Sequence, residues 1–234
     1  MKSKHTTVNG HKFLRSLHAI AQPLSDLYYC GTLPDDASKA VVAVVGTRRP
    51  TPYGTEVTFE IAYKLARAGA IIISGLAFGI DATAHRAALE AGGTTIAVLA
   101  GGLDDIYPRS HRKLAQQIVD SGGAIISEYP PGTPAHKHHF LARNRLISGL
   151  SQSVIITEAA ERSGALSTIN HALDQNKDIY AVPGPITSAL SAGPNNLIQQ
   201  GAAPITNLNT LLDQLHIAEA PSPWDELMQS YKLI

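Results

Sequence analysis

The chain has 234 residues, enough to bury a full core as one large domain with short appendages. Apolar residues make up 44% and charged residues only 16%, which excludes a disordered chain. The 19 Lys and Arg balance 19 Asp and Glu, which excludes a protein that coats nucleic acid through a global basic excess.

The single cysteine, Cys30, allows no intramolecular disulfide. Met1 to Asn9 lacks the apolar core of a signal peptide, and no apolar run approaches the roughly 20 residues that span a bilayer. A cytoplasmic protein with no membrane partner is the expectation.

Residues 1–40 follow no regular rhythm and are expected to form an N-terminal extension, with a short helix over 13–20 and a strand over 27–30. From Val41 onward, apolar runs alternate with helical patterns. Val41-Val42-Ala43-Val44-Val45 reads as a buried strand stopping at Gly46, followed by a helix over 56–67 with Val57, Ile61 and Leu65 on one stripe. A strand over 71–74 leads to a helix over 82–90 capped by Asp81. Then come a strand over 95–99, a helix over 110–120 and a strand over 124–127. A Pro/His-rich stretch over 129–139 precedes a helix near 142–149. A strand over 154–157, a helix over 165–175 and a strand over 179–182 follow, and Asn195-Asn196 opens a last short helix. This alternation implies an α/β fold with one Rossmann-like, mostly parallel sheet and helices on both faces, spanning 41–215. Residues 216–234, with the linker Ala220-Pro221-Ser222-Pro223, are expected to be a short tail.

Ligands of open α/β sheets bind at the carboxyl ends of the strands, so those loops carry the functional reading. After the first strand, Gly46 permits close backbone approach, Thr47 offers a hydroxyl and Arg48 a planar fork suited to phosphate. The alternative is a solvated arginine pair in a turn. After the second, Ser74-Gly75-Leu76-Ala77-Phe78-Gly79 opens a helix N-terminus that can face an anion, or is simply a tight turn. It is not GxGxxG, and no GxxxxGK[ST] occurs, which disfavours NAD, FAD and P-loop nucleotides. No cofactor is expected.

The stretch from Tyr129 to Thr157 holds no carboxylate but carries Lys137, Arg143 and Arg145, with Phe140 and Asn144 between them. Cations interleaved with an aromatic suit single-stranded nucleic acid, and an ordinary solvated loop is the other reading. His136, His138 and His139 lack a neighbouring Cys, Asp or Glu, so no metal is expected. Ser163-Gly164 opens a further helix, and Glu158 is expected to orient a neighbour or cap a turn rather than act as a base. No GxSxG elbow is present.

These blocks together resemble the DNA-processing protein A (Smf) family. The likeness rests on Val44-Val45-Gly46-Thr47-Arg48-Arg49-Pro50-Thr51, Ser74-Gly75-Leu76-Ala77-Phe78-Gly79-Ile80-Asp81, Tyr107-Pro108 and Ser127-Glu128-Tyr129-Pro130. It continues through Phe140, Arg143-Asn144-Arg145-Leu146-Ile147-Ser148-Gly149-Leu150-Ser151, Ser163-Gly164-Ala165-Leu166 and Ala181-Val182-Pro183-Gly184. The resemblance implies an extended Rossmann-like domain that binds single-stranded DNA, delivers it to the RecA recombinase in natural transformation, forms a homodimer and catalyses nothing. It implies that Arg48 holds a phosphate, with Gly75, Ala77, Ser163 and Gly164 completing the pocket. Lys137, Phe140, Arg143 and Asn144 would line the path of the strand. Many relatives carry a helical domain before this core and a winged-helix-like domain after it, and the flanks here are expected to be too short for either. Leu141 and His111 stand where the family tends to have Pro and Asn. The rival readings are a nucleotide phosphoribohydrolase of the lysine-decarboxylase-like fold and a nucleotide-sensing module. The first is weakened by Asn170 standing near where a catalytic glutamate would fall.

Overall fold

The computed structural model describes residues 3–35 and 39–218. The linker expected at 220–223, and most of the expected tail, lie outside the described residues. Strand β1 (Lys4–Thr7) runs into two 3₁₀ turns, Val8–Gly10 and Lys12–His18, and then β2 (Asp26–Gly31). The alternating core follows in chain order: β3 (Val41–Val45), α1 (Pro52–Arg67), β4 (Ile71–Ser74), α2 (Ile80–Glu90), β5 (Thr95–Val98), α3 (Arg112–Asp120) and β6 (Ala124–Ser127). It continues with α4 (Lys137–Leu150), β7 (Ser153–Ile156), α5 (Ala165–Asp174), β8 (Asp178–Ala181), α6 (Ala192–Gln199), β9 (Ala203–Pro204) and α7 (Leu211–Gln214).

The nine strands of the described residues form one sheet in the order β1-β2-β6-β5-β4-β3-β7-β8-β9. The pairs from β6 to β9 are parallel, and β1 and β2 close one edge with antiparallel pairing. The sheet is therefore Rossmann-like, α/β and mostly parallel. Residues 26–31 hydrogen-bond to β6, so the N-terminal segment extends the sheet rather than standing apart from it.

The strands read as unbroken apolar runs because both faces are covered. Along β3, Val41, Ala43 and Val45 pack with Leu146, Ile147 and Ile169 of α4 and α5. Val42 and Val44 pack on the other face with Ile61, Leu65, Ala84 and Ala88 of α1 and α2. Small residues on α2 bring it close to the sheet. The connectivity positions the site: from β3 the chain builds outward through β4, β5 and β6, then returns to place β7 on the other side of β3. Loops leaving β3 and β7 diverge at that switch point, which opens a crevice at the carboxyl edge of the sheet.

Several element ends differ from the sequence reading. Helix α1 starts at Pro52, four residues early, because Thr51 caps it by accepting from the Gly54 N–H at 3.1 Å and Pro52 is pre-set for the first turn. Asp81 does not cap α2. Gly79 holds that position at φ 72°, and the buried Asp81 carboxylate accepts from the Gly75 and Ala77 N–H groups instead. Helix α4 begins at Lys137 rather than near 142, which turns the end of the Pro/His-rich stretch into the first helical turn. The turn at Lys12–His18 is 3₁₀ rather than α. Asn195 lies inside α6, where its amide exchanges hydrogen bonds with the Gly184 backbone.

Candidate functional site

A cleft of about 720 Å³ occupies the switch point. Its walls come from five places distant in sequence: the loops after β3, β4 and β5, the segment leading into and forming α4, and the loop that opens α5. Arg48 is exposed at the mouth, and its guanidinium lies over the Phe140 ring, 5.3 Å from the centroid. An exposed contact of this kind contributes about 0.5–1 kcal/mol, enough to pre-orient a long side chain without immobilising it. Tyr107 meets the same ring edge-on at 5.5 Å and is 52% exposed. Lys137 stands one helical turn before Phe140, so both reach the rim from α4.

The floor holds two buried opposite charges, Arg143 and Asp81, each bonded to backbone groups. Arg143 donates to the carbonyls of Gly75 and Val98, and Gly75 has no room for a side chain because a Cβ would sit 2.5 Å from the guanidinium. Burial lowers the Arg143 pKa to about 10, opposed by Asp81. Burial likewise pushes the Asp81 carboxyl up, opposed by Arg143 and by its backbone donors. Arg143 Nε donates to Asn144 Oδ1 at 3.2 Å, and the Asn144 amide donates to the Gly164 carbonyl at 3.3 Å. This chain of bonds fixes the α5 opening relative to α4. Ser163 Oγ accepts from the Ala165 N–H, and the N-terminal end of α5 borders the cleft.

Arg48, Lys137 and Arg143 thus share the cleft with a single carboxylate, the buried Asp81, beside a helix N-terminus. Phe140, Leu141, Ile147 and Ala165 supply apolar wall. The combination can hold a phosphate at the mouth and a flat, apolar group against Phe140.

Of the residues singled out from sequence, Gly46, Arg48, Ala77, Lys137, Phe140, Arg143, Asn144, Ser163 and Gly164 line this cleft. Four lie outside it. Thr47 donates its N–H to the Glu158 carbonyl and holds the turn. Ser74 is buried and donates to the Val44 carbonyl across the sheet. Gly75 lies behind Arg143. Arg145 turns away to a largely buried ion pair with Glu128 at 2.8 Å, because positions two apart on a helix point to nearly opposite sides and Glu128 directly follows β6. Glu158 accepts from the Thr51 N–H at 2.8 Å and its hydroxyl at 2.6 Å, tying β7 to the start of α1. Tyr107 and Asp81 are the additions: the first stood in the sequence only within a motif, the second within a motif and as an expected helix cap. The rings of His136, His138 and His139 pack on one another, with Tyr129 stacked on His139. Among the described residues no group of His, Cys, Asp or Glu has a metal-binding arrangement. Nor, among those residues, is any helix long and apolar enough to cross a membrane.

An open, mostly parallel sheet with arginines and a lysine lining a cleft at its switch point defines a Rossmann-like α/β protein. The match is closer than fold: residues 4–216 fit the family model of DNA recombination-mediator protein A, and the chain belongs to that family. It is 46% identical over 174 residues to Protein Smf of Escherichia coli, covering 74% of this chain and 46% of that protein. The structure is similar to DNA processing protein A of Streptococcus pneumoniae, with TM-score 0.82 and 38% identity over 91% of this chain and 74% of that one. It is also similar to the Helicobacter pylori protein, whose structure is described for its single-stranded DNA binding mode. There the TM-score is 0.81 and the identity 34%, over 93% of this chain and 98% of that one. The chain therefore spans about half the length of the E. coli relative.

Proposed function

We propose that the switch-point cleft binds single-stranded DNA, and that the chain is a non-catalytic mediator that hands such strands to a RecA-type recombinase during recombination and natural transformation. The observation that carries this reading is the Arg48–Phe140 pair at the mouth: a phosphate-binding fork and a stacking face side by side, backed by Lys137 and the α5 N-terminus. A single strand offers both partners to such a pair, whereas a duplex keeps its base faces stacked inside. Family membership and the single-stranded DNA binding mode of the H. pylori relative support the same ligand. The acid at the end of β7, Glu158, is engaged twice by Thr51, which argues against its use as a base in an enzyme. The reading includes a homodimer, in which two clefts on one strand add avidity, and a cytoplasmic site of action.

Competition tests the ligand. Labelled oligo-dT bound to the protein is expected to be displaced by unlabelled single strands and far less by the same mass of duplex. Equal displacement by duplex would remove the single-strand reading. For the recombinase, filament growth on a single strand is expected to start sooner with this protein present. An unchanged lag would confine its role to strand binding.

A further inference from the structure

A second cavity, of about 170 Å³, lies at the opposite edge of the sheet, where the parallel strands begin. Lys12 reaches it from the first 3₁₀ position after His11, Lys39 from the lead into β3, and Lys177 from the residue before β8. Three lysines from separate segments thus line one hollow, and among the described residues no carboxylate lines it. The nearby Asp35 is engaged by His11 at 3.5 Å. The remaining polar lining is donor-rich as well. Gln152 spends its side-chain oxygen on the Val41 N–H, which leaves its NH₂ as a donor, and Ser16 adds a hydroxyl.

Like charges gathered around one hollow repel until an anion enters. Burial holds the Lys177 ammonium below the usual lysine pKa, in the sense that a bound anion would reverse. Phe13, Val41 and Leu150 add apolar lining to the hollow. A ligand presenting several negative oxygens to three compact cations fits this lining, and phosphate is the common biological group of that kind.

We propose that Lys12, Lys39 and Lys177, with Gln152 and Ser16, form a second phosphate-binding site at the amino edge of the sheet. Its source is either a DNA strand that continues past the switch-point cleft or a free polyphosphate-bearing molecule. The first source rests on the function proposed above and the second does not. The two sites sit at opposite ends of β3, roughly 13 Å apart along the strand, so one strand has to run around the molecule to reach both.

The full chain serves for both arms of the test. Inorganic tripolyphosphate is titrated while the backbone amide signals of Phe13, Ser16 and Gln152, which line the hollow and are unchanged in every variant, are followed by NMR. Saturable shifts are expected in wild type and in Arg48→Ala, lost in the combined Lys12→Gln, Lys39→Gln and Lys177→Gln variant, and kept when the same three become Arg. In parallel, oligo-dT of about 30 nucleotides is titrated across a salt series. If DNA is the source, the Gln variant lowers the slope of log K against log salt by about 2, at about 0.7 per lost phosphate contact. The Arg variant restores it. Saturable shifts with an unchanged DNA slope assign the site to a free phosphorylated molecule. No saturable shift together with an unchanged slope overturns the site. Failure of the single-strand reading itself would appear differently, as loss of DNA binding in the wild type.

Discussion

At the residue scale, Arg48 and Phe140 do different work and are separable by experiment. Arg48→Ala removes one cation from the mouth, so the salt slope for oligo-dT is expected to fall by about 0.7. Phe140→Ala removes a stacking face and is expected to cost about 1–3 kcal/mol of affinity with the slope unchanged. Tyr107→Ala should weaken binding in the same salt-independent way, since its ring meets Phe140 and is half exposed. A slope change in Phe140→Ala would show that the ring acts only by holding Arg48. Arg145, although it lies on the same helix, is expected to have no part in binding. Glu128→Ala strands the buried Arg145 charge and should destabilise the protein by about 3–5 kcal/mol, whereas Arg145→Met with Glu128→Leu should fold and bind oligo-dT as wild type.

His85 sets a pH limit. The Thr95 hydroxyl donates to the Ile72 carbonyl, so His85 Nδ1 donates to Thr95 and leaves the buried Nε2 bare. Burial, with help from neighbouring cations, depresses its pKa to about 3 from the 6.5 of an exposed histidine. A depressed folded-state pKa means the unfolded chain takes the proton first. The contribution to stability is complete above pH 6.5 and is lost as pH falls from 6.5 towards 3, by up to about 1.4 kcal/mol per pH unit. Urea midpoints at pH 7 and pH 5 are expected to differ more in wild type than in His85→Gln. Equal differences would contradict the assignment.

At the element scale, the β7–α1 junction holds the mouth in shape. Gly54 faces the Glu158 carboxylate so closely that a Cβ would overlap it, and Gly46 would put one 2.6 Å from Ile80 and 2.8 Å from the Glu158 carbonyl. Gly54→Ala is therefore expected to lower the melting temperature, and Glu158→Ala to cost about 0.5–2 kcal/mol through loss of its bonds to Thr51. Thermal unfolding followed by circular dichroism checks both, and a Gly54→Ala protein as stable as wild type would contradict the contact. Core strands were legible in the sequence because a strand buried on both faces has no polar positions to blur it, as Val41–Val45 illustrates. Helix starts were less legible. Pro52 and Gly54 look like loop residues, yet the first turn of a helix needs no N–H from Pro52, and Glu158 leaves space only for Gly54. Asp81 resembled a cap because its real partners, the Gly75 and Ala77 N–H groups, come from the loop before the helix.

At the scale of the whole molecule, the cleft is a product of strand order. The loops after β3 and β7 are more than a hundred residues apart in sequence, and only the return of the chain to β3 sets Ser163 and Gly164 across from Arg48. Sequence could mark each loop as suited to anions, since glycines, a helix start and an arginine are local signals. It could not tell Arg143 from Arg145, two positions apart on one helix, because which of them meets the cleft depends on how α4 lies on the sheet. The most direct test is fluorescence anisotropy of labelled oligo-dT, single-stranded and as duplex, at two salt concentrations, with wild type beside Arg48→Ala. Single-strand preference that weakens with salt in wild type, with affinity and salt slope both reduced in the mutant, is the predicted result. Identical binding curves for wild type and Arg48→Ala, or no binding of single strands at low salt, would contradict it.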